Sequence, residues 1–252
     1  MLTTHPFHDE PVQVQLHANP HPPLGVELLQ QVDAIWSQEQ CRRQKENRQP
    51  LFNGELFCVD NYAGNIVRGH RSEYRFWVAQ YLQPHLFAQL QMRPMSVAGL
   101  VICQDGVVFG KRGLSNTTGA GLWELIPSGG VETQAYQVGQ VLDMSQQIQL
   151  EFSEEAGCDP QNITNNRPLC LIENHRTRSI DMGILLHTPQ LTFAELQVRH
   201  ATTSLEYTEL QVVAVDGLTA YIEQAGDSLV SISAALLHYW MQHGMNLVDV
   251  AL

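Results

Sequence analysis

The chain has 252 residues, 44% of them hydrophobic, and carries 14 Lys and Arg against 26 Asp and Glu, a formal net charge of −12. That is enough for one large domain or two small ones, and the acidic balance argues against a general nucleic-acid binder, which needs a basic face. No apolar run reaches the ~20 residues needed to span a bilayer. Met1-Leu2-Thr3-Thr4-His5-Pro6 has neither the basic start nor the apolar segment of a secretory signal. Cysteines at 41, 58, 103, 158 and 170 show no C-x-x-C spacing, which predicts reduced thiols in a cytoplasmic protein.

The first 25 residues are rich in Pro and His. Val12 to Leu16 alternates apolar and polar and reads as a short edge strand; Pro20, Pro22 and Pro23 make an extended connector. His17 and His21 are neighbours with no further ligand pattern, so they read as surface histidines. From Gly25, Val26, Leu29, Val32 and Ile35 recur at helical spacing and predict an amphipathic helix to about Lys45, with a solvated second half. A turn at Leu51 to Gly54 leads into a strand ending near Val59. Ile66 to Arg71 is its expected partner, and Tyr74 to Leu82 a short helix stopped by Pro84.

From Met95 the pattern changes. Ser96 to Cys103 is a strong apolar strand, Gln104-Asp105-Gly106 a hairpin signal, and Val107 to Arg112 the return strand. This sets a boundary near Arg93-Pro94. Arg112 is either a group that reaches a substrate phosphate or a strand-end charge. Pro168 to Ile172, Ile180 to Leu186 and Leu210 to Val215 read as later strands, and Val230 to His243 as a final helix.

The stretch Leu150-Glu151-Phe152-Ser153-Glu154-Glu155-Ala156-Gly157-Cys158 organises the rest. Glu151, Glu154 and Glu155 stand at i, i+3 and i+4, so a helix places three carboxylates on one face. Their repulsion calls for a cation, and Mg²⁺ takes oxygen ligands of this kind. Gly157 ends the helix; Asp143 or Ser145 caps its start.

This stretch resembles the second half of the Nudix signature, G-x5-E-x7-R-E-U-x-E-E-x-G-U, with U a bulky apolar residue. Leu122-Trp123-Glu124-Leu125-Ile126-Pro127-Ser128-Gly129-Gly130 resembles the strand and Gly-Gly turn that open it. The pattern departs in three places: Leu150 stands at the family's Arg, Leu142 at its earlier Glu, and Gly130 lies six residues too far upstream, which implies an insertion within 131–141. A joint exchange of an ion pair for an apolar pair is tolerated, so metal binding is expected with an altered brace. Ala34-Ile35-Trp36, Pro50 to Gly54 and Tyr74-Arg75-Phe76-Trp77 resemble the leader of one subgroup, the UDP-glucose and UDP-galactose hydrolases.

The resemblance implies an α/β fold, a Nudix-type α/β/α sandwich with a mixed sheet over 95–252, preceded by a smaller α+β lobe over 1–94. It implies a metal-dependent diphosphate hydrolase with Mg²⁺, or Mn²⁺, as cofactor. The substrate would be a small nucleotide, preferentially UDP-glucose or UDP-galactose cleaved to UMP and sugar 1-phosphate. No nucleic acid or membrane partner is implied, and a homodimer is compatible. Glu154 and Glu155 are the implied metal ligands, with Glu151 a ligand or their orienting group and the Gly130 carbonyl a further oxygen. Glu206 and Glu209 precede a strand where a general base can occur; Glu209 is the candidate, against a surface role for both. Tyr74 and Arg75 would support the substrate cleft with Arg112, while Phe76 and Trp77 pack the lobe. The alternatives are ADP-ribose or another nucleotide sugar as substrate, or a catalytically silent nucleotide- or protein-binding module.

Overall fold

The computed structural model describes residues 1–201 and 206–244. In chain order, β1 (Leu2–Pro6) and β2 (Gln13–His17) precede α1 (Val26–Lys45). The hairpin β3 (Glu55–Ala63) and β4 (Ile66–Glu73) leads into α2 (Tyr74–Leu82) and the single turn α3 (Phe87–Leu90). Then β5 (Met95–Cys103), β6 (Gly106–Arg112), β7 (Trp123–Leu125), β8 (Ser128–Gly130) and β9 (Val141–Leu142) run up to α4 (Met144–Ala156). After it come β10 (Asn165–Asn174), β11 (Ser179–Thr188), α5 (Phe193–His200), β12 (Tyr207–Val213), α6 (Leu218–Ala225) and α7 (Ser231–His243).

Two mixed sheets result. The larger runs β1-β10-β11-β5-β6-β12, with β7 paired to β6 and β8 to β5; among the described strands of this sheet only β11 and β5 pair in parallel. The smaller runs β3-β4-β2-β9, with β2 parallel to β4. The central strand β5 is covered on both faces, as its continuous apolar run requires. Val97, Val101 and Cys103 join Ile148 and Phe152 of α4 and Val14, Leu16 and Phe57 of the smaller sheet. Leu100 and Ile102 pack with Leu236, Leu237 and Trp240 of α7. Ile148 and Phe152 are wholly buried, each worth about 1.5–3 kcal/mol relative to exposure. Among the described residues no helix is long and apolar enough to cross a membrane.

Strand pairing crosses the expected cut at residue 94 twice. β1 forms the edge of the larger sheet, against β10. β9, from within the insertion, pairs with β2 in the smaller sheet. β2 is therefore an inner strand flanked by β4 and β9 rather than the edge strand its alternation suggested. Its Val14 and Leu16 are wholly buried.

Three other expectations are revised. Gly129-Gly130 is not a turn: both glycines lie in β8, paired with Val97 and Ser96, and the chain turns before them at the cis peptide Ile126-Pro127. Leu142 and Leu150 are not an apolar pair, because Leu142 is buried in β9 while Leu150 is 42% exposed on α4. The second half of α1 is not wholly solvated, since Glu39 and Arg43 are buried. Arg43 Nε donates to the Gln49 carbonyl at 2.7 Å and its Nη2 to the Ser115 carbonyl, while Arg48 Nη2 donates to the Asn116 carbonyl at 2.9 Å. Helix α1, through Arg43, and the segment that follows it, through Arg48, thereby anchor the 113–122 loop.

Candidate functional site

A cavity of ≈ 560 Å³ opens between the anchored loop, α2, β8 and the start of α7. Strand register builds one wall. Asp181 of β11 pairs with Ser96 of β5, which pairs with Gly130 of β8. Directly paired residues share a face, so the three form a row, and all three line the cavity together with Glu124, Glu206, Arg112 and Tyr74.

Helix α4 begins where Asp143 accepts from the Gln146 N–H at 3.0 Å and ends at Gly157, left-handed at φ 65°. Its glutamates do not line the cavity; they reach its wall through β8. The Ser128 N–H donates to Glu155 Oε2 at 3.0 Å. The Glu151 carboxyl lies so close to Gly129 that a Cβ there would sit 2.1 Å from it. Gln147 holds Glu151, its Nε2 donating to Oε1 at 2.8 Å, while its own Oε1 accepts from the Glu132 N–H at 3.1 Å. Glu154 is exposed. His200 of α5 places its ring nitrogens 3.0 Å from the Glu155 carbonyl oxygen and 3.2 Å from that of Tyr207, tying α4 to the start of β12.

The electrostatics of this cluster are those of crowded acids. Burial first, then Glu206 and Glu151, push the Glu155 carboxyl well above the usual range. Burial raises Glu151 to about 7, with Glu154, Glu206 and Glu132 adding to it. Glu206 and Glu124 are raised mainly by burial, against the pull of Arg112. Asp181 is raised to about 7 by burial and by Glu124. Glu155 Oε1 and Asp181 Oδ2 are buried with no hydrogen-bond partner.

These orphaned oxygens test the fit of a cation. Unpaired buried carboxylate oxygen is costly, and a hard divalent ion removes that cost. Glu151, Glu155 and Glu206 form the cluster it would relieve. They are not a closed ligand cage, which suits an ion that keeps waters and takes phosphate oxygens from substrate.

The other sequence candidates divide. Tyr74 lines the cavity, and its hydroxyl donates to Thr117 Oγ1 at 2.9 Å. Arg112 lines it too, with Nη1 on the Glu124 carboxylate and Nε on the Thr118 carbonyl at 3.1 Å. Arg75 does not reach it. Its guanidinium pairs with Asp33 and with Glu73 (2.9 Å) and stacks over the Phe76 ring. Glu209 is also outside, 58% exposed and paired with Lys111 at 3.5 Å, whereas Glu206 lines the cavity. Trp77, expected to pack the lobe, does so and also borders the cavity. Two acids escaped the sequence reading. Asp181 interrupts the apolar run Ile180 to Leu186, and Glu124 sits between Trp123 and Leu125 in a three-residue strand; an acid inside an apolar strand was the available signal.

No family model and no curated protein matches this chain. Among solved structures it is similar to a bifunctional NMN adenylyltransferase/ADP ribose pyrophosphatase from Francisella tularensis complexed with AMP and a manganese ion. Identity there is 16% and the TM-score 0.46, over 65% of this chain and 45% of that one. It is also similar to the Nudix domain of Shewanella oneidensis NrtR complexed with ADP ribose, at 12% identity and TM-score 0.44, over 64% of this chain and 97% of that one. A third is a Nudix hydrolase from Nitrosomonas europaea, at 17% identity and TM-score 0.41, over 62% of this chain and 74% of that one. The chain thus spans less than half of the Francisella protein it matches.

Proposed function

We propose that this protein is a metal-dependent Nudix hydrolase that cleaves the diphosphate of a nucleoside diphosphate joined to another group. The observation that carries this reading is the pair Glu151 and Glu155 held against β8, with Glu206 in the wall of the adjoining cavity, which is large enough for a nucleotide. Glu155 and Glu151 would hold the ion, with Glu154 at the open side and the Gly130 carbonyl as a further oxygen. A bound Mg²⁺ or Mn²⁺ supplies neutralisation of phosphate oxygens and a lowered pKa for the attacking water.

The protein's own groups do the rest. The Ser128 N–H holds Glu155 in place, and Gln147 holds Glu151. Glu206, raised by burial and lining the cavity, would take the proton of the attacking water. Arg112 is held by Glu124, so its charge is offset within the wall, and it orients the loop through Thr118. Tyr74 and Trp77 offer aromatic surface to a base or sugar.

The finer step, a preference for UDP-glucose or UDP-galactose over ADP-ribose, is supported by the leader motifs around Trp36, Gly54 and Tyr74 alone. Kinetic comparison of the three substrates with Mg²⁺ and Mn²⁺ tests it, and a preference for ADP-ribose overturns the sugar assignment only. Glu155→Gln tests the reaction class: turnover is lost with folding intact. Retention of the wild-type rate and metal dependence refutes it.

A further inference from the structure

A second cluster lies elsewhere in the molecule. His21 belongs to the connector between β2 and α1, Asp60 to β3 and His70 to β4. Asp60 Oδ1 is 2.9 Å from His70 Nδ1 and 3.4 Å from His21 Nε2. The two imidazoles meet edge to face with centroids 5.3 Å apart. Among the described residues this is the only set of His, Cys, Asp or Glu side chains whose ligand atoms all lie within 4.8 Å of one another. None of the three lines the cavity.

We infer that His21, Asp60 and His70 form a zinc site that clamps the connector onto the β3–β4 hairpin. The geometry fits the ion. Bonds of ~2.0–2.1 Å in a tetrahedron hold neighbouring ligand atoms about 3.3 Å apart, and the two distances to Asp60 bracket that value. The donor set fits as well: two imidazoles and one carboxylate suit zinc, with the fourth position left to water.

The local fold aims these groups at each other. The β3–β4 register shifts between Val59 and Asn61, so Asp60 is the extra residue of a β-bulge. Bulges re-aim a side chain that regular pairing would direct elsewhere. His70 is 3% exposed, so its ring has little freedom. His21 is brought in by the proline-rich connector, where its N–H donates to Asn19 Oδ1 at 2.8 Å. A ligand from the connector and two from the hairpin cross-link segments that backbone pairing does not join directly.

The test uses the full chain, stripped with a chelator and then held in excess Mg²⁺ so that the acidic cluster is occupied. Zn²⁺ is titrated against a chromophoric chelator, and Co²⁺ serves as a spectroscopic probe. The expected result is one Zn²⁺ per chain that Mg²⁺ does not displace, a visible Co²⁺ absorption of tetrahedral intensity and a raised Tm. His21→Ala removes a 36%-exposed ligand. It is expected to lower zinc affinity more than ~100-fold, abolish the Co²⁺ band and the gain in Tm, and leave Mg²⁺-dependent hydrolysis unchanged. Asp60→Asn provides a second variant, with the same loss expected. The inference is overturned if the wild-type chain binds no zinc under these conditions, or if His21→Ala binds it with unaltered affinity and spectrum.

Discussion

The contact between Gly129 and Glu151 gives a perturbation whose effects on fold and function separate. In Gly129→Ala the new Cβ would lie 2.1 Å from Glu151 Cδ and Oε1 and 2.4 Å from Oε2. Carbon contacts settle near 3.5 Å or beyond, so the carboxyl must retreat by about 1.5 Å. Gly129 is in β8 and has no positive φ, so alanine suits its backbone. The Gln147–Glu151 hydrogen bond at 2.8 Å is the main loss, worth about 0.5–3 kcal/mol depending on the charge of Glu151. Stiffening of the unfolded chain returns about 0.4–1 kcal/mol. The net cost is below about 3 kcal/mol, or a Tm drop of no more than ~10 °C at this chain length. Displacement of a site carboxylate by more than ~1 Å costs on the order of 100-fold in rate. Melting and initial rates of Mg²⁺-dependent hydrolysis measure the two effects, and Gly129→Ala in a Glu151→Gln background should add little further loss. A variant that hydrolyses at the wild-type rate would show that Glu151 does not need the space Gly129 leaves, and one that fails to fold would refute the small stability cost.

Three further outcomes are expected. Asp181 has its folded pKa raised from 3.8 to about 7; its contribution to stability is full below ~4 and is lost as pH rises through the folded value. The Tm of the metal-free protein should therefore fall across that window, and Asp181→Asn should flatten the decline in a pH series of melts. Glu206→Gln should lower the rate at least ~100-fold if it takes the water's proton, whereas Glu209→Gln should change it less than about twofold because Glu209 holds only an exposed ion pair. Leu150→Arg should alter stability by no more than ~0.5 kcal/mol by denaturant titration, because Leu150 is 42% exposed.

Local signals were the legible ones. The hairpin at Gln104-Asp105-Gly106 joins β5 and β6, and α4 runs between the Asp143 cap and Gly157, each fixed by residues a few positions apart. Helix α5 carries an equally local signal: Thr192 and Glu195 form a capping box in which Glu195 accepts from the Thr192 N–H at 2.9 Å. β1 and the two-residue β9 were not legible, because their pairing partners lie far away in sequence. The glutamates of α4 declared themselves by helical spacing. Glu206 could not be separated from Glu209 by pattern, since the register shift between Tyr207 and Glu209 in the β12–β6 pairing lies just where they diverge. Arg75 had every sequence credential of a phosphate-binding group, yet Asp33 and Glu73 hold its charge outside the cavity.

The pairing of β1 with β10 has a consequence for synthesis in the cell. The Thr3 hydroxyl and His175 Nε2, 2.8 Å apart, are separated by 172 positions along the chain. A ribosome adds ~5–20 residues per second, so β1 is made roughly 9–34 s before its partner. Through that interval its backbone donors and acceptors are available to any other strand edge it meets. The nascent protein therefore has a period of vulnerability, and its yield should depend on translation speed and on chaperones that shield a strand awaiting its partner.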